Sequence, residues 1–335
     1  MSKDLISVIM PVKNAALFLT ECLNSILVQD YSHWELIAVD DASSDNSWSI
    51  LQQYAKNHPN ISCVRNNGVG IIAALKTAYS LSKGAYISRM DADDTMSKDK
   101  LKCLYQVLSQ KGKGFVSTGL VQYFSAQTLG KGYLAYEAWL NRLTRHHENY
   151  SELYKECVIP SPCWMIHRDD LNRCGAFDIA QYPEDYDLCF RWYKHQIKCI
   201  GVAQIVHHWR DSAHRASRTD PNYADNNFLQ LKLGYFLELH RQIERPLFIW
   251  GAGKKGKKLA FLLKQSDQKF EWICNNPNKI GHYIHGVLLG STQVLEQVKN
   301  PQIVVIVAQK EAQKQIKTQL ENYGMSSMQD YFFFC

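Results

Sequence analysis

The chain has 335 residues, more than one ordinary domain holds, so two domains are expected. At 46% hydrophobic and 21% charged it can build packed cores, which excludes a disordered chain. The formal net charge of +6 is uneven, since Pro246 to Cys335 carries 11 Lys against 6 Asp and Glu. No apolar run approaches the ~18 residues of a membrane helix, and Ile303 to Ala308 spans only six. Lys13 and Asn14 interrupt the N-terminal apolar stretch too early for a signal sequence. The ten cysteines form no C-x-x-C pair, which argues against zinc and suits a reducing compartment. A cytoplasmic protein without a nucleic-acid partner is expected. The basic C-terminal part is compatible with peripheral contact at the inner face of a membrane, and solvated helix faces are the plainer reading.

Leu5 to Met10 is a continuous apolar run ended by Pro11, as expected of a buried parallel strand. Leu19, Leu23, Ile26 and Leu27 fall at helical spacing. Glu35 to Asp40 reads as a second buried strand and ends in Asp40-Asp41-Ala42-Ser43-Ser44-Asp45, where Ser44 or Asp45 can cap the next helix. Ile61 to Val64 is a third strand. The turn Asn66 to Gly70 follows, then a helix from Ile71 to Ser82 that Gly84 stops. A fourth strand runs into Arg89-Met90-Asp91-Ala92-Asp93-Asp94. Three carboxylates within four residues repel one another unless a cation sits there, and oxygen ligands suit Mg²⁺ or Mn²⁺. The alternation predicts an open, mostly parallel sheet flanked by helices. Ligands of such sheets gather beyond the carboxyl ends of the strands, where all four motifs lie.

These motifs together resemble family 2 glycosyltransferases of bacterial type, with the nucleotide-sugar-binding GT-A fold. Ser7 to Asn14 is similar to the family's opening strand, Asp40 to Asp45 to its D-D-x-S-x-D turn, Asn67-Gly68 to its N-x-G turn, and Arg89 to Asp94 to its acidic motif. The resemblance covers about Leu5 to Arg218. Lys76 and Lys98 depart from the usual Asn and Pro. It implies a nucleoside diphosphate sugar donor, most often a UDP-sugar, along Pro11, Asn14, Asn67 and Gly68. Asp40 or Asp41 would accept from the base and Asp91 would sit near the ribose. Asp93 would bind Mn²⁺ or Mg²⁺ and Asp94 would support it.

Further along, Gly114 to Phe124 reads as a strand and Leu134 to Tyr154 as a helix containing His146-His147, a solvated or partly packed pair and not a metal site. Trp164, in the run Ile159 to Arg168, is either a sugar platform or a core residue. Pro183-Glu184-Asp185 opens a helix and resembles the family's E-D signature, which makes Asp185 the expected general base with Glu184 beside it. Asp187 and Arg191 stand i, i+4 and are expected to pair. The basic stretch from His207 to Arg218 resembles a loop that closes over the diphosphate, with Arg215 as phosphate ligand and His208 (or His207) as metal ligand.

Leu247 to Trp250 is then a strand, followed by Gly251-Ala252-Gly253-Lys254-Lys255-Gly256 and a helix. This is the G-x-G-x-x-G setting of dinucleotide sites. The next strand ends in Asn275-Asn276 instead of an acid, which weakens NAD recognition. The expected organisation is a GT-A domain at 1–222, a helical connector at 223–245 and a Rossmann-like α/β domain at 246–335. The expected activity is metal-dependent, inverting transfer from a nucleotide-sugar donor to a glycan or lipid-linked acceptor in cell-surface polysaccharide synthesis. An NAD-dependent oxidoreductase or nucleotide-binding module centred on Gly251 to Gly256, and a non-catalytic sugar-binding protein, are the alternatives.

Overall fold

The computed structural model describes residues 4–125, 129–178, 181–211 and 228–335. The chain divides into two compact units, Met1–Tyr150 with Cys157–Thr219, and Ser151–Glu156 with Asp220–Cys335.

The first unit begins β1 (Ile6–Val12), α1 (Ala16–Leu27), β2 (Trp34–Asp40), α2 (Ser47–Asn57), β3 (Ile61–Arg65), α3 (Ile71–Leu81) and β4 (Tyr86–Arg89). It continues β5 (Thr95–Met96), α4 (Lys100–Lys111), β6 (Phe115–Phe124), α5 (Lys131–His146), β7 (Trp164–His167), α6 (Arg168–Arg173), α7 (Glu184–Lys194) and β8 (Lys198–Arg210). One eight-stranded sheet has the order β3-β2-β1-β4-β7-β6-β8-β5. The first four strands are parallel, as their continuous apolar runs require. The second half makes the sheet mixed: β7 runs antiparallel to β4 and β6, and β5 antiparallel to β8. Val12 pairs with Asp40 and Asp40 with Arg65, so the carboxyl ends of β1, β2 and β3 lie side by side.

Local details differ from the sequence reading. The helix expected to reach Tyr154 ends at His146, because His147 takes a left-handed φ of 56° and turns the chain. The residues after α3 leave the helix at Ser82. Gly84 is required for closeness, since a Cβ there would lie 2.5 Å from the Ser7 amide.

The second unit contains α8 (Leu229–Leu239), β9 (Leu247–Trp250), α9 (Lys254–Gln265), β10 (Glu271–Cys274), β11 (Tyr283–Ile284), β12 (Val287–Ser291), β13 (Gln302–Val305), α10 (Lys310–Asn322) and β14 (Tyr331–Phe333). Its six-stranded sheet has the order β11-β12-β10-β9-β13-β14, parallel except at β11. Helix α8, expected as part of a connector, packs within this unit. Tyr154 belongs here too: its ring stacks on Phe334 at 5.1 Å and meets Phe332 and Phe236 edge-on. The buried Lys232 amine fastens this short segment by donating to the Lys155 carbonyl at 2.7 Å.

The glycine-rich turn after β9 has a packing reason. A Cβ at Gly256 would lie 2.1 Å from the Gly251 carbonyl oxygen, and Gly251 itself has φ 132°. Asn275, at the position of the missing acid, accepts from Trp250 Nε1 at 2.5 Å, and Lys279 donates to the Ala252 carbonyl. The turn is thus engaged by the unit's own side chains.

Candidate active site

The site grows from the loops at the strand ends. Asn14, with φ 50°, follows β1. Its Oδ1 accepts from the Ser44 amide at 2.8 Å and its own amide donates to Ser43 Oγ at 2.9 Å, which ties the first loop to the second. Pro11 lies one residue before the end of β1, half-buried. Asp45 accepts from the Ser47 and Ala16 amides, so one carboxylate serves the first turns of both α1 and α2.

Asp40 is fully buried. Its Oδ2 accepts from the Ser43 amide and from Arg65, whose guanidinium lies 4.2 Å from the Trp48 ring centroid. Asp40 Oδ1 has no hydrogen-bond partner among the described residues. Asp41 accepts from Asn66 Nδ2 at 2.7 Å, the Gly70 amide at 3.0 Å and Lys13 Nζ at 3.2 Å. Burial pushes this carboxyl up, but those three donors outweigh it and hold the group below its ordinary value. Asn67 and Gly68 are exposed on the same turn. The residue that reaches Asp41 is Asn66, one position earlier than the motif suggests.

The acidic turn follows β4. Asp91 Oδ1 accepts from Arg89 Nε at 3.1 Å. Asp93 is half-buried, and its carbonyl accepts from Arg210 Nε at 2.7 Å. Asp94 is buried, and its carboxylate meets His207 Nε2 at 2.9 Å and the Arg210 amide at 2.7 Å. Arg210 also lies between the rings of Phe18 and Phe124, at 4.5 and 4.4 Å. The end of β8 is therefore clamped onto the acidic turn. His207 is the histidine in that clamp. His208 pairs with Thr95 across the ladder, and strand alternation sends its ring to the opposite face. Arg215 lies outside the described residues.

The third part comes from α7. Asp185, half-buried in its first turn, accepts from Ser161 Oγ at 2.7 Å. Glu184 is buried and accepts from Arg89 Nη1 at 2.8 Å. Burial raises the Glu184 carboxyl above its ordinary value, with Arg89 opposing and Asp185 adding to the rise. Arg89 thus bridges Asp91 and Glu184. Lys100, wholly buried, donates to the carbonyls of Arg89 and Pro162, at 3.3 and 2.5 Å. Sequence reading missed the roles of these cations because Glu184 and Pro162 are remote from them in the chain. Asp187 and Arg191 pair at 2.7 Å, and Arg191 also donates to the Ala176 carbonyl, a structural role. Trp164 is a core residue, edge-on to Trp192 at 5.3 Å.

The family model described as "Glycosyl transferase family 2" matches residues 7–175. The chain belongs to that family. EpsE of Bacillus subtilis (strain 168), named as a glycosyltransferase, is 41% identical over 233 residues, 66% of this chain and 78% of that protein. Glycosyltransferase GlyG of Streptococcus pneumoniae serotype 4 is 33% identical over 224 residues, 65% of this chain and 74% of that protein. The match of this family 2 chain spans only 47% of TuaG of B. subtilis and 37% of GlyA of S. pneumoniae. Among solved structures, S. aureus TarS in complex with UDP-GlcNAc aligns at TM-score 0.53 and 16% identity, over 71% of this chain and 68% of that one. The mannosyltransferase PcManGT of Pyrobaculum calidifontis, with GDP-Man and Mn²⁺, aligns at 0.52 and 19%, over 71% and 64%. These likenesses show the GT-A-like α/β fold; the smaller second α/β domain is the six-stranded unit described above.

Proposed function

We propose that the first unit transfers a sugar, with inversion, from a nucleoside diphosphate donor to a hydroxyl of a glycan or lipid-linked acceptor in polysaccharide synthesis. The observation that carries the reading is the meeting of two carboxylate groups from distant parts of the chain. Asp91 and Glu184 share Arg89, so the acidic turn and the Glu184-Asp185 helix start form one site. The donor's base sits by Asp40 or Asp41 and its ribose by Asp91, with Pro11, Asn14, Asn67 and Gly68 shaping the cleft. The structural neighbours solved with UDP-GlcNAc and GDP-Man support this class of donor.

The donor set fits Mn²⁺ or Mg²⁺, because the acidic turn offers only hard carboxylate oxygens. Among the described residues no three His, Cys, Asp or Glu side chains form a metal cage. An ion here would be held by Asp93 and by donor phosphate oxygens, the arrangement common for Mg²⁺. When bound, it supplies charge neutralisation for the departing diphosphate. Asp185 takes the proton of the acceptor hydroxyl, and Ser161 orients the carboxylate for that task. His208, on the face away from the clamp, is not given a metal role.

Among the described residues no helix is long and apolar enough to cross a membrane. We place the protein in the cytoplasm, at the inner membrane face where a lipid-linked acceptor is found. Incubation with UDP- and GDP-sugars and Mn²⁺, assayed for nucleotide release, tests the reading. Asp93→Ala is expected to abolish the metal response, and Asp185→Asn to lower kcat by about 10²–10⁴-fold. Full turnover in both variants overturns the assignment.

A further inference from the structure

We infer that Arg89 is a positioning residue, which fixes the donor carboxylate and the general-base helix at one spacing. The inference rests on the glycosyltransferase reading of this site. Arg89 ends β4 and is almost wholly buried. Its guanidinium donates in two directions, through Nε to Asp91 and through Nη1 to Glu184. The two carboxylates are far apart in sequence and belong to opposite halves of the reaction. Asp91 belongs to the donor side, and Glu184 is bonded in the chain to the base Asp185.

A second cation braces the same junction from behind. Lys100 Nζ bonds the Arg89 carbonyl and the Pro162 carbonyl. Pro162 follows Ser161, whose hydroxyl holds Asp185. The base is therefore located twice relative to β4. One route runs through the Arg89 side chain to Glu184. The other runs through the Arg89 main chain, Lys100 and the Ser161–Pro162 turn. Apolar side chains would fill a buried strand end without the cost of desolvating two cations. What they cannot supply is a planar fork with two fixed donor directions. Transfer depends steeply on such spacing, because the acceptor oxygen must approach the donor carbon while its proton faces the base.

Four proteins test this: the wild type, Arg89→Lys, the double variant Arg89→Met with Glu184→Gln, and Asp185→Asn. Each is measured for kcat, donor KM, UDP binding and melting temperature. Lysine keeps the charge but is a point donor without the fork. Arg89→Lys is expected to bind UDP within about three-fold of wild type while kcat falls about ten-fold or more. Arg89→Met alone leaves a buried carboxylate uncompensated and is a poor test of catalysis. The double variant removes the buried Arg89–Glu184 pair and leaves only the more exposed Asp91 without Arg89, so its melting temperature should fall less than that of Arg89→Met alone while kcat remains as low as in Arg89→Lys. Wild-type kcat in either variant overturns the inference. So does a fall in kcat that merely tracks lost stability and lost UDP binding. If the wild type is active, Asp185→Asn is not and Arg89→Lys is unimpaired, only this inference falls. If the wild type turns over no donor, the glycosyltransferase reading falls and takes the inference with it.

Discussion

Asp94→Ala is predicted to loosen the acidic turn without touching a substrate. The buried Asp94 carboxylate accepts from His207 Nε2 and from the Arg210 amide, and Arg210 in turn holds the Asp93 carbonyl. Alanine removes the acceptor from both donors. Each hydrogen bond to a charged group contributes about 1.5–3 kcal/mol, and two such bonds give roughly 3–5 kcal/mol once some relaxation is allowed. For a unit of this size about 1 kcal/mol moves Tm by 2–4 °C, so a fall of roughly 6–20 °C is expected. Asp94→Asn keeps an acceptor for the Arg210 amide and should cost less than half as much. Differential scanning calorimetry of the full chain reads both variants. A melting temperature for Asp94→Ala within about 2 °C of wild type would refute the argument that this clamp anchors β8 to the turn.

Other outcomes follow from single groups. Asp41 is held below its ordinary value of 3.8 by Asn66, Gly70 and Lys13, so its folded form binds the proton less readily than the unfolded chain does. Its contribution is therefore present above that ordinary value and lost as pH falls through the lowered one, and Asp41→Asn should flatten the acid limb of a stability–pH curve. An unchanged acid limb would contradict the hydrogen-bond pattern. Gly201→Ala puts a Cβ 1.8 Å from the Thr144 carbonyl oxygen, and the backbone must shift at a cost of about 3 kcal/mol or more. Gly132→Ala, in open space on α5, should raise stability by roughly 0.5–1 kcal/mol in the same melts.

The first half of the fold was legible because its physics is local. A buried parallel strand must be a short apolar run, and a loop at its carboxyl end must carry the polar residues. Asp40, Asp41 and Asp91 could therefore be placed on one edge from their positions alone. The later half was harder. β7 enters antiparallel between β4 and β6, and nothing in Trp164 to His167 distinguishes that direction. The partners of the carboxylates were also hidden. Arg89 and Glu184 are 95 residues apart, and Arg210 and Asp94 116. Only the assembled sheet brings them together, and a single sequence has no local signal for such pairs. The extent of α5 was overread for a similar reason. The aromatic residues after His147 keep a helical spacing, but Tyr154 is spent on the core of the second unit.

That excursion of Ser151–Glu156 has a consequence for how the molecule can be taken apart. The chain leaves the first unit, contributes one aromatic side chain to the second, returns, and departs again near residue 220. No single cut separates the two. A fragment starting at 220 would carry Phe236, Phe332 and Phe334 around an empty place where Tyr154 belongs, and a fragment ending at 219 would trail that tyrosine unburied. During synthesis the same tyrosine emerges well before the residues that enclose it. The last third of the chain, which reads as a late appendage on paper, thus holds an early residue hostage, and the second unit can close only once the last strand has been made.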